Sequence, residues 1–175
     1  MLLLQHPQEV QHAKNTARLL HLSLPGSRVV VGETFDEAAL LACMPPPRYT
    51  VLLYPPTCHA GHAVPAPLDA AQLKDPSKIR LVVLDATWRK SRKMLHGSPL
   101  LQGLPRLSLA DLSASNYLIR KAHRPGQLST LEATCAALVQ LEGSPGRFQP
   151  LLAAFDGFVA QQLHWRLTGR PPSLA

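Results

Sequence analysis

The sequence contains few cysteines, few acidic residues and no long apolar segment. Its three cysteines are spread widely over 175 residues, a pattern that argues against a disulfide framework and fits a reducing compartment, so we expect a cytoplasmic protein. No apolar run approaches the ~18 residues that a membrane-spanning helix needs. The first residues, Met1 to Pro7, lack the length and the basic flank of a signal peptide. We therefore expect neither membrane insertion nor secretion.

Metal-ligand patterns are also scarce. Cys58, His59 and His62 stand close together, but they lie in a segment rich in glycine and proline and have no second cysteine pair. Zinc sites ordinarily combine two ligand pairs at characteristic spacing. We therefore predict no metal site.

Acidic residues are outnumbered by basic ones. Eighteen lysines and arginines stand against eleven aspartates and glutamates, which gives a formal net charge of +7. A charge of this sign favours a polyanionic partner, nucleic acid above all. Proteins that bind no nucleic acid can be equally basic, so composition alone leaves both alternatives open.

Short apolar runs alternate with segments of helical periodicity. Runs typical of strands lie at 2–4, 28–31, 50–54, 79–84 and 106–109. Helical spacing of apolar residues covers 10–20, 128–141 and 148–159, and Thr34 with Glu37 predicts a capping box for a short helix through Leu41. This alternation predicts an α/β fold with a mostly parallel sheet and helices on both faces. The length fits a single domain over residues 1–175.

Residues 79–95 combine a strand pattern with residues that can carry chemistry. Ile79 to Leu84 has the continuous apolar character of a strand buried on both faces of a parallel sheet. Asp85, Thr87 and Trp88 follow directly, where open α/β sheets bind their ligands. The sequence therefore predicts the active site here. Two structural alternatives remain: Asp85 caps the next helix, the commoner role of aspartate at such a turn, and Trp88 belongs to the core.

The helix predicted after Trp88 is basic. Arg89, Arg92, Lys93 and His96 share one face at helical spacing. Such a face suits contacts with RNA phosphates. A solvated basic face without a partner fits the charge pattern equally well.

Two further turns have the character of ligand sites. Tyr54-Pro55 ends a strand, and Leu128-Ser129-Thr130 opens a helix. A helix N-terminus offers free backbone N–H groups and a partial positive charge, which suit a carboxylate or a phosphate. Ser129 and Glu132 also form a capping-box pattern, so both have a purely structural alternative.

Taken in order, these motifs resemble the DTW-domain family of tRNA-uridine aminocarboxypropyltransferases. The motifs that carry the resemblance are Gln5-His6-Pro7 with Glu9, Leu53-Tyr54-Pro55, Leu84 to Trp88, Arg92 to Leu95, Tyr117 with Arg120-Lys121, and Leu128 to Ala133. The family is similar to the SPOUT class of RNA-modifying proteins, which implies a C-terminal knot around S-adenosylmethionine. The resemblance implies transfer of a 3-amino-3-carboxypropyl group to N3 of a tRNA uridine and release of methylthioadenosine.

The resemblance also implies roles for individual residues. Cofactor contacts are implied for Tyr54, Pro55, Leu84, Thr87, Leu128, Ser129, Thr130 and Glu132. Phosphate contacts with tRNA are implied for Arg89, Arg92, Lys93, Arg120, Lys121 and Arg124. Asp85 is the candidate base for uridine N3, or else the counter-charge of the sulfonium, and nearby basic residues would weaken it as a base. Trp88 is expected to wall the pocket or to stack on the uracil.

One departure from the family concerns the N-terminus. Members often begin with a cysteine-rich segment that looks like a zinc site, whereas this sequence starts at Met1-Leu2-Leu3. We expect a shorter branch or a trimmed form, again without metal, and the resemblance favours a monomer. Two alternative functions remain: a SPOUT-type RNA methyltransferase, and a non-catalytic RNA-binding module without cofactor.

Overall fold

A computed structural model describes residues 1–11, 15–57, 63–109 and 128–169. Within these ranges five strands form a single sheet, and every pair of neighbouring strands is parallel. The strands are β1 (Leu2–Gln5), β2 (Arg28–Val31), β3 (Tyr49–Leu53), β4 (Ile79–Asp85) and β5 (Arg106–Leu107). The predicted parallel sheet is confirmed, although β5 ends earlier than the predicted 109.

Helices connect or follow these strands. They are α1 (Thr16–Ser23), α2 (Glu37–Cys43), α3 (Trp88–His96), α4 (Pro99–Gly103), α5 (Thr130–Glu142) and α6 (Gln149–Thr168). Short 3₁₀ turns occupy Pro7–Glu9, Gln72–Lys74 and Pro76–Lys78. No helix of the described residues is long and apolar enough to cross a membrane.

The strand order is β2-β1-β4-β3-β5, which places β4 at the centre. All seven residues of β4 are buried, as its continuous apolar run predicted. The register pairs Gln5 of β1 with Asp85 of β4 on one side and with Val31 of β2 on the other. The carboxyl ends of these three strands therefore lie side by side.

Each face of the sheet packs against its own set of helices. Leu3 and Val83 belong to one core, which includes residues of α1, α5 and α6. Leu4 and Leu84 belong to the other, which includes residues of α2, α3 and α4. Each fully buried leucine contributes about 1.5–3 kcal/mol to stability relative to an exposed one. Helices on both faces are therefore confirmed.

The connections that leave β1 and β4 run in opposite directions. From β1 the chain passes through α1, on the first face, to β2; from β4 it passes through α3 and α4, on the second face, to β5. Such a reversal is a topological switch point, where open α/β sheets bind their ligands at the carboxyl ends of the strands. The switch point lies beside Gln5 and Asp85.

Two helix starts differ from the prediction. The box at Thr34 is wrong: α2 is capped by Asp36, whose side chain accepts a hydrogen bond from the Ala39 backbone N–H at 2.8 Å. The first helix begins only at Thr16, because Asn15 caps it by accepting from the Arg18 N–H at 2.9 Å. In both places an Asx side chain nearer the helix fixes its first turn.

The segment 110–127 lies outside the described residues. A C-terminal knot depends on the path of this segment between β5 and α5. The knot, and the motif at Tyr117, therefore stay predictions.

Candidate active site

Asp85 is the last residue of β4 and lies at the switch point, with 5% of its surface exposed. Its Oδ2 accepts a hydrogen bond from Gln5 Nε2 at 2.8 Å, and its Oδ1 accepts one from Thr16 Oγ1 at 3.1 Å. Asp85 does not cap the next helix, since the N-cap of α3 is Thr87. The capping alternative is therefore wrong, and the carboxylate is held by two partners from elsewhere in the chain.

Gln5 and Asn15 extend this network. The Gln5 amide also donates to Asn15 Oδ1 at 3.1 Å, and Asn15 Nδ2 donates to the Val10 carbonyl at 2.7 Å. The network thus joins the end of β1, the start of α1 and the end of β4. The sequence predicted no role for Asn15 or Thr16, and it singled out Gln5 only as part of a family motif. The available signal was a glutamine at the end of an otherwise apolar strand.

His6 follows β1 at the same edge of the sheet. Its backbone N–H donates to the Asp85 carbonyl at 3.0 Å, and its ring is buried. Nδ1 accepts from the Gln8 N–H at 3.2 Å, so the neutral ring carries its proton on Nε2, which lies 3.7 Å from Glu33 Oε1. These contacts fix the chain where it leaves β1.

Trp88 is the first residue of α3 and is 58% exposed. Its ring meets the Tyr54 ring edge-on, with centroids 5.9 Å apart. Tyr54 is buried and lies 5.7 Å from the guanidinium carbon of Arg106, which donates to the Leu101 and Gln102 carbonyls. The core alternative for Trp88 is wrong: a fixed tyrosine supports an indole that solvent can reach.

The basic face of α3 divides into two kinds of residue. Arg89, Arg92 and Lys93 are exposed and form no ion pair with another residue in the described ranges. Lys90 is half-buried and lies 2.8 Å from Glu9 Oε1. His96, the fourth member of the predicted face, is half-buried. Three exposed cations therefore remain beside Trp88.

The capping box at the start of α5 is confirmed. Ser129 Oγ accepts from the Glu132 N–H at 3.2 Å, and Glu132 Oε2 accepts from the Ser129 N–H at 2.8 Å. Glu132 is 5% exposed, and its Oε1 has no hydrogen-bond partner in the part of the chain that is described. Burial, and secondarily the charge of Glu132, raises the pKa of Cys135 to about 12.

A cavity at the opposite edge of the sheet shows which way α5 runs. Leu138 and Leu141 of α5 line a cavity of about 460 Å³ together with Met1 and Ile79, which lie at the amino ends of β1 and β4. The start of α5 therefore points to the carboxyl edge, next to α1, against which α5 packs. No hydrogen bond between described residues joins Ser129 or Glu132 to Asp85.

The remaining predicted contacts vary in exposure. Leu84 is buried in the second core, Thr87 is exposed, and Pro55, Leu128 and Thr130 are half-buried. Three predicted RNA contacts lie outside the described residues, namely Arg120, Lys121 and Arg124. The individual cofactor and RNA contacts stay predictions.

The described residues include no group of candidate metal ligands. Among the described residues, no three or more histidine, cysteine, aspartate or glutamate side chains are placed to hold a metal ion. Cys58, His59 and His62 lie outside those residues.

The sequence pattern of the DTW domain matches residues 1–163. The chain belongs to the DTW-domain family. A relative of this DTW domain, tRNA-uridine aminocarboxypropyltransferase 2 of Drosophila melanogaster, is 32% identical over 169 residues, which cover 93% of this chain and 64% of the fly protein. The Mus musculus protein of the same name is 29% identical, covering 92% of this chain and 54% of its own.

A plant relative is also similar, at lower sequence identity. tRNA-uridine aminocarboxypropyltransferase A of Arabidopsis thaliana is 26% identical over 81% of this chain and 62% of its own length. The DTW domain thus spans between about half and two thirds of the length of these relatives. No solved structure matches it.

Proposed function

We propose that this DTW domain transfers the 3-amino-3-carboxypropyl group of S-adenosylmethionine to N3 of a tRNA uridine and releases methylthioadenosine. The observation that carries the proposal is the similarity to relatives named for this transfer, over as much as 93% of the chain. The position of Asp85 at the switch point, close in the chain to an exposed indole and to the exposed basic side chains of α3, supports it.

The groups at the carboxyl edge fit S-adenosylmethionine, which carries a carboxylate, an ammonium and a sulfonium. The N-termini of α1, α3 and α5 suit the carboxylate. Glu132 Oε1, which is buried and has no hydrogen-bond partner among the described residues, suits a cationic group, and so does the Asp85 carboxylate. In the proposal, the other residues implied as cofactor contacts surround these groups. They are Tyr54, Pro55, Leu84, Thr87, Leu128, Ser129 and Thr130.

The protein's part in the reaction is to place the uridine and to manage charge. Bound S-adenosylmethionine supplies a carbon next to a positive sulfur, and a nucleophile displaces the sulfur from it. The site has to hold N3 towards the carboxypropyl carbon and away from the methyl, because reaction follows the near-attack geometry. The N3 proton must also leave. Asp85 either takes this proton or balances the sulfonium charge.

The surface of α3 supplies the contacts with tRNA in this proposal. The exposed face of Trp88 stacks on the target uracil, since aromatic side chains bind unstacked bases in RNA. Arg89, Arg92 and Lys93 contact phosphates and position the strand. Arg120, Lys121 and Arg124 are proposed to add further phosphate contacts.

The proposal also includes the SPOUT-like C-terminal knot, a monomeric state and a cytoplasmic location. The family likeness supports the first two. Free thiols at Cys43 and Cys135 fit a reducing compartment and so support the third.

Mass spectrometry of nucleosides tests the reaction. Unmodified tRNA is incubated with the protein and S-adenosylmethionine, and we expect aminocarboxypropyl-uridine together with methylthioadenosine. The isosteric Asp85→Asn variant is expected to lose about a hundredfold or more of the rate. A methylated base would instead identify an RNA methyltransferase, and RNA binding without cofactor binding or product would identify a non-catalytic module.

A further inference from the structure

Two donors hold the Asp85 carboxylate, one on each oxygen. Gln5 Nε2 reaches Oδ2 at 2.8 Å and Thr16 Oγ1 reaches Oδ1 at 3.1 Å. Gln5 is 3% exposed and Asp85 5%, so the arrangement lies largely out of water. The contact with Gln5 follows from the strand register, which places the two residues directly opposite each other.

The donors are themselves fixed by the fold. The Gln5 amide donates its second N–H to Asn15 Oδ1 at 3.1 Å, and this bond sets the orientation of the amide plane. Thr16 is the first residue of α1, and Asn15 caps that helix. Because α1 begins next to the carboxylate, its N-terminal partial charge also favours a negative group there. Strand β1 and helix α1 thus act on Asp85 together.

We propose that Gln5 and Thr16 are positioning residues that hold Asp85 as a fixed negative charge facing the sulfonium. Each carboxylate oxygen has a second acceptor site, so one donor on each oxygen fixes the direction of the group and leaves it able to face a cation. The charge then needs no rearrangement during the reaction, and in a buried site it acts more strongly than in water. This inference rests on the proposed function, because it requires S-adenosylmethionine at the switch point.

The test compares the binding of S-adenosylmethionine with that of S-adenosylhomocysteine by calorimetry. The two ligands share their carboxylate and ammonium and differ in the charged sulfonium. We expect the wild-type protein to prefer the charged ligand and Asp85→Asn to lose this preference. The near-isosteric Thr16→Val variant should reduce the preference by about threefold or more, since it removes a hydrogen bond to a charged group. Thr16→Ser keeps the hydroxyl and should restore it.

Two further variants complete the design. Gln5→Leu removes the other donor and should act in the same direction as Thr16→Val. Thr50→Val is the matched control: Thr50 is half-buried like Thr16, but it lies in β3 and its hydroxyl contacts Arg48 and Arg80. It should leave the ratio of the two affinities unchanged. Thermal unfolding of each variant confirms that it is folded.

The outcomes separate this inference from the proposed function. Equal weakening of both ligands by Thr16→Val and Gln5→Leu, with loss of preference only in Asp85→Asn, overturns the positioning role and leaves the reaction intact. A full preference in Asp85→Asn overturns the electrostatic role of Asp85, whatever the nucleoside assay shows. A wild-type protein that binds neither ligand overturns the proposed function and this inference with it.

Discussion

The Lys90 ammonium lies 2.8 Å from the Glu9 carboxylate, although the two residues are 81 positions apart in the sequence. Their side chains are 26% and 18% exposed. The pair joins the turn after β1 to the first turn of α3. Lys90 therefore differs from Arg92 and Lys93, which lie on the same helix and carry the same charge but have no acidic partner among the described residues.

Breaking this pair should lower stability without affecting RNA binding. Lys90→Met keeps most of the stem and should cost about 1 kcal/mol, between the values of exposed and fully buried pairs. The midpoint of thermal unfolding should then fall by about 2–4 °C for a chain of this size. Glu9→Gln should lower stability by a similar amount. The double variant should lose little more stability than either single variant. Fully additive losses would show that the two residues act separately.

The exposed cations of α3 should set the salt dependence of tRNA binding. Arg92→Gln and Lys93→Gln should each reduce the slope of log K against log salt concentration by about 0.7–0.9, the effect of one phosphate contact. Lys90→Met should leave this slope unchanged. Arg28→Gln is the control for net charge, because Arg28 is exposed at the amino end of β2. An equal decrease in Arg28→Gln would point to a general charge effect in place of a defined surface.

The indole of Trp88 should matter for the RNA and little for stability. Trp88→Ala should weaken binding of the target RNA by about five- to 150-fold, the range of one base–aromatic stack of about 1–3 kcal/mol. Trp88→Phe should retain much of the affinity. Trp165→Ala is a close control, since Trp165 of α6 is 59% exposed against 58% for Trp88. If both alanine variants bound RNA equally well, the stacking role would be excluded.

Local patterns predicted much of the fold. The buried central strand follows from an unbroken apolar run at 79–84, and the box at Ser129 follows from two residues three positions apart. These features depend on neighbours in the sequence and on burial alone. The alternation of strands and helices likewise predicted the parallel sheet and its two covered faces.

Contacts between distant segments could not be predicted in the same way. The Gln5–Asp85 bond joins residues 80 positions apart and depends on β1 lying next to β4, a strand order that no local pattern specifies. In the same way, the ion pair of Lys90 depends on the position of Glu9 in the turn after β1, which no pattern within α3 reveals. The sequence predicted Thr34 as the cap of α2, and the chain uses Asp36 instead. The sequence thus predicted the position of Asp85 at the end of the central strand, but it did not predict the residues that donate hydrogen bonds to it.

The capping and cofactor roles of Ser129 can be separated. Ser129→Ala should cost about 1 kcal/mol of stability, because the cap is lost. Ser129→Asp keeps a good capping side chain, yet it places a negative charge where the cofactor carboxylate is proposed to bind. We expect this variant to be stable and to bind S-adenosylmethionine more weakly, as measured by calorimetry. Normal binding by a stable Ser129→Asp protein would remove the start of α5 from the cofactor site.

Cys135 should make the stability of the protein fall at alkaline pH. Burial raises its pKa from 9.0 to about 12, so between these values the folded chain keeps a proton that the unfolded chain has lost. The free energy of unfolding therefore decreases as the pH rises above 9.0, by up to about 1.4 kcal/mol per pH unit. Urea unfolding at several pH values between 8 and 11 measures this slope. Cys135→Ala should flatten it, whereas Val139→Ala, a buried truncation in the same helix, should lower stability equally at every pH. An unchanged slope in Cys135→Ala would assign the alkaline loss to another group.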